Sequence, residues 1–194
     1  MFTVDSVVLT GAGVRLEPLS QDHAQGLYNR GRVAADWAYM PRSCFIDLAD
    51  TRQWIDEALQ APDQLPFAIV ELGKGKVVGS TRYLHIRLEH RSLEIGWTWL
   101  GQEWQRTDIN TQVKLLLLSH AFERLGCVRV EFKTDERNAR SQRALERIGA
   151  TREGVLRNHM IVQGDYIRDS VYFSVIDQDW PLVKERLLLL GDRS

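Results

Sequence analysis

LEIGWTWLGQEWQRTDINTQVKLLLLSHAF, residues 93–122, sets a strand, a turn and a helix end to end, and its reading decides the fold. Alternate residues of a strand share a side. Leu93, Ile95, Trp97 and Trp99 are therefore expected on one wholly apolar face, with Glu94, Gly96 and Thr98 on the other. Two readings of that second face stay open: the border of a substrate channel, or a half-exposed strand whose polar side is wet. In the helix, Val113, Leu115, Leu116, Leu117, Leu118, Ala121, Phe122 and Leu125 cover more than half the circumference at about 100° per residue, predicting a largely buried helix over residues 111–125. Asn110 or Thr111 is the expected cap. The free N–H groups at a helix start form a default anion site, although a capped helix end without a ligand satisfies the same residues. The intervening turn, WQRTDINT, resembles a phosphate-cradling loop that has lost its glycines and gained an acid.

Outward from this stretch, strand and helix patterns alternate. Residues 14–19 read as a first strand, and Ser20 or Asp22 caps a helix through Tyr28. A second helix is predicted over 50–59, then a hairpin of 67–71 and 76–82 around Gly73-Lys74-Gly75. After the central helix come a strand at 129–134 and a helix at 139–148, with Asn138 as N-cap and Gly149 just past its end. A late hairpin, 155–162 and 168–176, turns at Gln163-Gly164-Asp165, and a last helix carries Trp180, with Pro181 in its first turn. Hairpins at both ends of a β-α-β-α unit predict a single-domain α/β protein whose mixed sheet has helices on both faces.

The 194 residues suit one domain, although two small ones also fit. Acids and bases nearly cancel to a formal net charge of −1, without the basic excess of a nucleic-acid-binding domain. No apolar run nears the roughly 20 residues of a membrane span, and residues 1–19 lack the basic and apolar segments of a signal peptide. Two cysteines, Cys44 and Cys127, make no disulfide framework and read as reduced thiols in a cytoplasmic protein. The histidines His23, His85, His90, His120 and His159 lack metal-ligand spacing, so no metal is expected. Ser141 sits at the third position of its helix, where its hydroxyl projects from the first turn. Arg137, Arg140, Arg143 and Arg147 read as a solvated face from which Arg140 or Arg143 can reach a phosphate. Trp37, Tyr39 and Phe45, in residues 31–47, serve equally as acceptor wall or as core.

Together these stretches resemble the GNAT acetyltransferases, most closely the branch that includes the ribosomal-protein N-terminal acetyltransferases. The carriers are residues 93–122, RVEFKTDERNARSQRALERIGATREGVLR and GDYIRDSVYFSVIDQDWPLVKERL, with VRLEPLS near the start. The likeness spans about residues 14–187, by order and spacing rather than by one motif. It implies a GNAT-like splayed mixed sheet, with a domain over 14–178, an extension over 1–13 and a C-terminal helix over 179–194 packed on the domain. It implies acetyl-CoA between two parallel strands, with the backbone at Trp99 and Leu100 holding the pantetheine arm. Gln105, Arg106, Thr107, Asp108, Ile109, Asn110 and Thr111 would take the pyrophosphate, and Asn138 the cofactor arm. Glu94 would act as base through a water on an amine acceptor, a protein N-terminus or a small molecule. Ser141 would sit near the sulfur as proton donor. The late hairpin is the expected edge for a homodimer. A catalytically silent CoA-binding or regulatory module of the same fold is the alternative, and a fold without any ligand is a third reading.

The loop departs from the family pattern Q/R-x-x-G-x-G/A, with Asp108 at the first glycine and Asn110 at the second small residue. A carboxylate within about 5 Å of a pyrophosphate would repel it by roughly 1–3 kcal/mol. Asp108 is therefore expected to turn toward Arg106 or to cap a loop N–H, and Asp108→Gly to tighten CoA binding.

Overall fold

The computed structural model describes residues 3–191. Residues 1–2 of the proposed N-terminal extension and 192–194 of the proposed C-terminal helix lie outside the described residues. In chain order the elements are β1 Leu9–Thr10, β2 Val14–Pro18, α1 Ala24–Arg30, α2 Leu48–Gln60, β3 Leu65–Glu71, β4 Lys76–Arg87, β5 Ser92–Leu100, α3 Ile109–Ser119, β6 Arg129–Asp135, α4 Ala139–Ile148, β7 Thr151–Val162, β8 Tyr166–Ile176 and α5 Trp180–Gly191. The strands form one eight-stranded sheet in the order β1-β2-β3-β4-β5-β6-β8-β7. All neighbours are antiparallel except β5 and β6.

Two apolar cores sandwich the sheet. On one face Leu93, Ile95, Val130, Phe132, Val171 and Phe173 pack with Val113, Leu117 and Leu118 of α3, Leu145 and Ile148 of α4, and Val183 and Leu187 of α5. On the other, Ala68 and Trp99 pack with Ala24 and Leu27 of α1 and with Trp54, Ile55 and Ala58 of α2. Trp37 and Phe45 are buried in this second core, whereas Tyr39 is exposed, so the aromatic residues of segment 31–47 divide between core and surface.

The local signals explain most of the elements. Asp47 accepts from the Asp50 backbone N–H at the start of α2, and Asn138 does the same for Ser141 at the start of α4. Gly149 ends α4 at φ 96°, a left-handed conformation that a side chain disfavours. β1, missed in the sequence, is two residues paired with β2 and too short to show a period.

Two expectations about the central stretch are corrected. Leu93, Ile95, Trp97 and Trp99 do not share one face, because Trp97 adopts φ 50° where the β4–β5 register shifts between Ser80 and Arg82. This β-bulge inverts the alternation, leaving Leu93 and Ile95 in the α3 core while Trp99 joins the α1–α2 core. Thr98 crosses accordingly to the α3 side, where it meets Lys114. The central helix also starts earlier than expected, at Ile109, with Asp108 rather than Asn110 or Thr111 in the cap position. It loosens into a π turn at His120–Arg124 instead of running on as α-helix to Leu125.

Candidate active site

β5 and β6 pair only through Ser92–Arg129, Leu93–Val130 and Glu94–Glu131. β5 continues to Leu100 and β6 to Asp135, so beyond Glu94 the strands part and leave a wedge in mid-sheet. An unpaired strand edge offers N–H and C=O groups that seek partners, and an arm built of amides supplies them. The residues present therefore fit the implied pantetheine chain on the evidence of that edge.

Glu94 stands where the wedge opens. It is not on an open strand face, as the alternation suggested, but only 2% exposed. Lys133 Nζ lies 3.4 Å and His85 Nε2 3.8 Å from its Oε2, an atom that is buried without a hydrogen-bond partner among the described residues. The burial has a local cause in Gly96, where a Cβ would lie 3.0 Å from Glu94 Oε1. Glycine thus gives the carboxylate room to fold back along its own strand. His85 has φ 46°, in the irregular stretch where the β4–β5 register shifts again, and Asp63 is 3.4 Å from its Nδ1. Lys133 and His85 come from neighbouring strands, and the sequence carried no spacing that linked them to Glu94.

Beneath the wedge, Lys114 reaches up from α3. Its Nζ donates to Thr98 Oγ1 at 3.2 Å and lies 5.3 Å from the centre of the Phe132 ring. Thr98 Oγ1 is 2.8 Å from Thr81 Oγ1. Burial, which disfavours the charged ammonium, lowers the Lys114 pKa to about 7. The signal was present in VKLLLL, one charge inside an otherwise apolar helical run.

The loop ahead of α3 is tied down on every side. Gln105 Nε2 donates to the Leu100 carbonyl at 2.9 Å and to Asp36 Oδ1 at 2.8 Å, while its Oε1 accepts from Arg140 Nη1 at 2.8 Å. Arg106 is exposed, with φ 61°. Thr107 Oγ1 donates to the Trp104 carbonyl at 2.7 Å. The Asp108 carboxylate takes neither expected route: it accepts from the side-chain amide of Gln112, one turn on. Gln112 Oε1 in turn accepts from the Gly13 N–H at 2.9 Å, which anchors the pair against the β1–β2 turn. Gln112 was not singled out in the sequence because the partner that fixes it lies about a hundred residues away.

At the other wall, Asn138 Oδ1 is engaged as the α4 cap at 3.0 Å from Ser141 N, leaving its NH₂ group as the donor for a ligand. Ser141 is half-buried. Arg140 bridges to Gln105, and Arg147 Nη2 donates to Thr111 Oγ1 at 3.2 Å, so α4 is laced to the loop and to the start of α3. The structure thus joins the loop residues, α4 and the wedge into one region, while no hydrogen bond links Glu94 to Ser141 among the described residues.

Comparison with known proteins agrees with this architecture. Residues 14–151 match the acetyltransferase (GNAT) domain family. "Putative ribosomal N-acetyltransferase YdaF" of Bacillus subtilis is 31% identical over 106 residues, 55% of this chain and 57% of that protein. The matched stretch is thus little more than half of that curated relative's length. The crystal structure of a GCN5-related N-acetyltransferase from Brucella melitensis superposes with TM-score 0.91 at 31% identity, covering 96% of this chain and 86% of that one. Mycobacterium smegmatis RimJ, in complex with CoA-disulfide, superposes with TM-score 0.77 at 22% identity over 95% and 92% of the two chains, a likeness of fold. With the family matched over most of its length and the sheet splayed at its one parallel pair, this chain belongs to the GNAT acetyltransferase family.

Proposed function

We propose that the protein transfers acetyl from acetyl-CoA to a primary amine, a protein N-terminus or a small molecule, by direct attack within a ternary complex. The observation that carries this reading is Glu94: a buried carboxylate with one oxygen free of hydrogen bonds, at the point where β5 and β6 part. Acetyl-CoA supplies an acetyl group activated as a thioester. An amine is protonated at neutral pH and must lose a proton to become a nucleophile, so Glu94 Oε2 accepts that proton through a bridging water. Lys133 Nζ, 3.4 Å away, holds Oε2 in place. Backbone N–H groups at Trp99 and Leu100 orient the thioester carbonyl, a contribution typically of about 3 kcal/mol per donor. The loop Gln105, Arg106, Thr107, Asp108, Ile109 and Asn110, with Thr111, binds the pyrophosphate, and the NH₂ of Asn138 binds the arm. Ser141 donates a proton as the thiolate departs. The catalytic domain is taken as residues 14–178, with the β7–β8 hairpin as its proposed dimer edge.

The test is a thiol-release assay across a panel of N-terminal peptides and small amines, with Glu94→Gln beside the wild type. We expect Glu94→Gln to lower kcat by about 100-fold or more. An unchanged rate would place the base elsewhere. The competing reading, a silent CoA-binding or regulatory module, draws support from the altered loop, where Asp108 and Asn110 stand at the family's small residues. CoA binding without thiol release from any acceptor would establish it.

A further inference from the structure

The sheet face that carries Glu94 also carries Lys133, Asp135, Arg168, Ser170 and Tyr172, because the residues alternating with them, Phe132, Val171 and Phe173, fill the α3 core. Most charges on this face are matched. Glu94 has Lys133 at 3.4 Å. Asp135 accepts from Arg137 Nε at 3.0 Å and Nη2 at 2.8 Å. Arg82 is buried with its Nε unpartnered, but its guanidinium lies between the Trp54 and Trp97 rings, 4.8 and 4.6 Å from their centroids, and donates to Gln64 at 2.9 Å.

Arg168 has no such compensation. It is 4% exposed, its Nε is buried without a partner, and no carboxylate lies within 4.0 Å of it among the described residues. Its one side-chain hydrogen bond among the described residues runs from Nη1 to the Tyr39 carbonyl at 3.5 Å, a marginal length. Burial lowers its basicity, while Asp135 and Glu94 act on it from a distance in the opposite sense. A guanidinium remains charged in such a setting and presents a planar fork suited to a carboxylate. An unpaired buried charge is costly to the fold, and that cost points to a partner that arrives with the substrate.

The register gives the spacing. Glu94 aligns with Glu131, and Asp135 with Ser170, two residues short of Arg168. The two side chains start roughly 20 Å apart along the strands at about 3.3 Å per residue. Glu94 leans along the sheet to meet Lys133, and Glu94 and Asp135 both act on the Arg168 guanidinium, so the charged ends lie closer, on the order of 10 Å apart. An extended peptide places a side-chain carboxylate of its second or third residue at about that distance from its α-amine.

We infer that Arg168 receives a carboxylate of the acceptor, and that the acceptor is a peptide N-terminus with aspartate or glutamate at its second or third position. This rests on reading Glu94 as the amine site. The test uses serine-initiated peptide pairs differing only by Glu or Gln at positions two and three, with small amines as reference, assayed by thiol release. The wild type should favour the Glu peptide by roughly tenfold or more in kcat/KM, mainly through KM, as for a charge-assisted pair. Arg168→Gln should bring the ratio near one, and Arg168→Lys should keep part of it. The ratio is internal to each variant, so a loss of folded protein does not alter it. Equal use of Glu and Gln peptides by the wild type overturns the inference, as does an acidic preference that survives Arg168→Gln. Turnover of small amines without peptides overturns it too, yet leaves acetyl transfer standing. No turnover of any acceptor overturns both.

Discussion

Glu94 and Asp108 are both acids beside the wedge, and their surroundings differ. Glu94 keeps an oxygen unbonded, whereas the Asp108 carboxylate is held by Gln112, itself anchored to Gly13. A carboxylate clamped in this way makes no cap bond to the α3 N–H groups and is held by a side-chain amide, which offsets part of the repulsion foreseen from sequence. Asp108→Gly should therefore change CoA affinity by less than about threefold, while Gln112→Ala, which releases the acid, should weaken it more. Calorimetric titration of both variants decides the point, and a large tightening in Asp108→Gly would show that the carboxylate faces the phosphates. The positions of Glu94 and Asp108 were legible in the sequence, since order along a strand or loop survives folding. Their surroundings were not: Lys133 and His85 meet Glu94, and Gly13 meets the Gln112 that holds Asp108, only through tertiary contact.

Among the elements, β5 shows how far periodicity reaches. Its existence and limits followed from residues 92–100, yet a single positive φ at Trp97 exchanged the faces of everything after it. No propensity marks a tryptophan for φ 50°; the partner strand imposes it. Gly79 on β4 is where the bulge presses hardest, because a Cβ there would lie 2.1 Å from the Trp99 carbonyl oxygen. Gly79→Ala should destabilise the fold by about 2 kcal/mol or more, seen as a lower urea midpoint, and should weaken CoA binding with it. A variant as stable as the wild type would mean that the bulge yields without cost. The helix α4 was the most legible element, with Asn138 and Gly149 marking its ends, whereas α2 begins at Leu48 on an Asp47 cap that the sequence reading did not name and α3 hid its true start behind Asp108.

For the whole molecule, Lys114 couples stability to pH. Its pKa is about 7 in the fold against 10.5 as the ordinary value. The unfolded chain therefore binds more protons between those values, and stability rises with pH across that window. The destabilisation is complete below about pH 7 and fades toward 10.5. Lys114→Met keeps the length of the chain, and Thr98 retains Thr81 as a partner. The variant should exceed the wild type in stability at pH 6, with the gap closing by up to about 1.4 kcal/mol per unit from pH 7 to 9. Denaturant melts at each pH check this, and parallel curves would show that Nζ reaches water.

The short pairing of β5 with β6 has one more consequence. Beyond Glu94 the sheet contains an edge in its own middle, unlike the outer edges at β1 and β7. Lys114 underlies this seam from one side, the Trp37–Trp99 contact closes the other, and the Gln105–Arg140 bond spans the distance from loop to helix. Another protein's strand, with side chains projecting both ways, finds no clearance there. These groups cover the seam from both faces, so it is shielded from the edge-to-edge pairing that an open edge would invite.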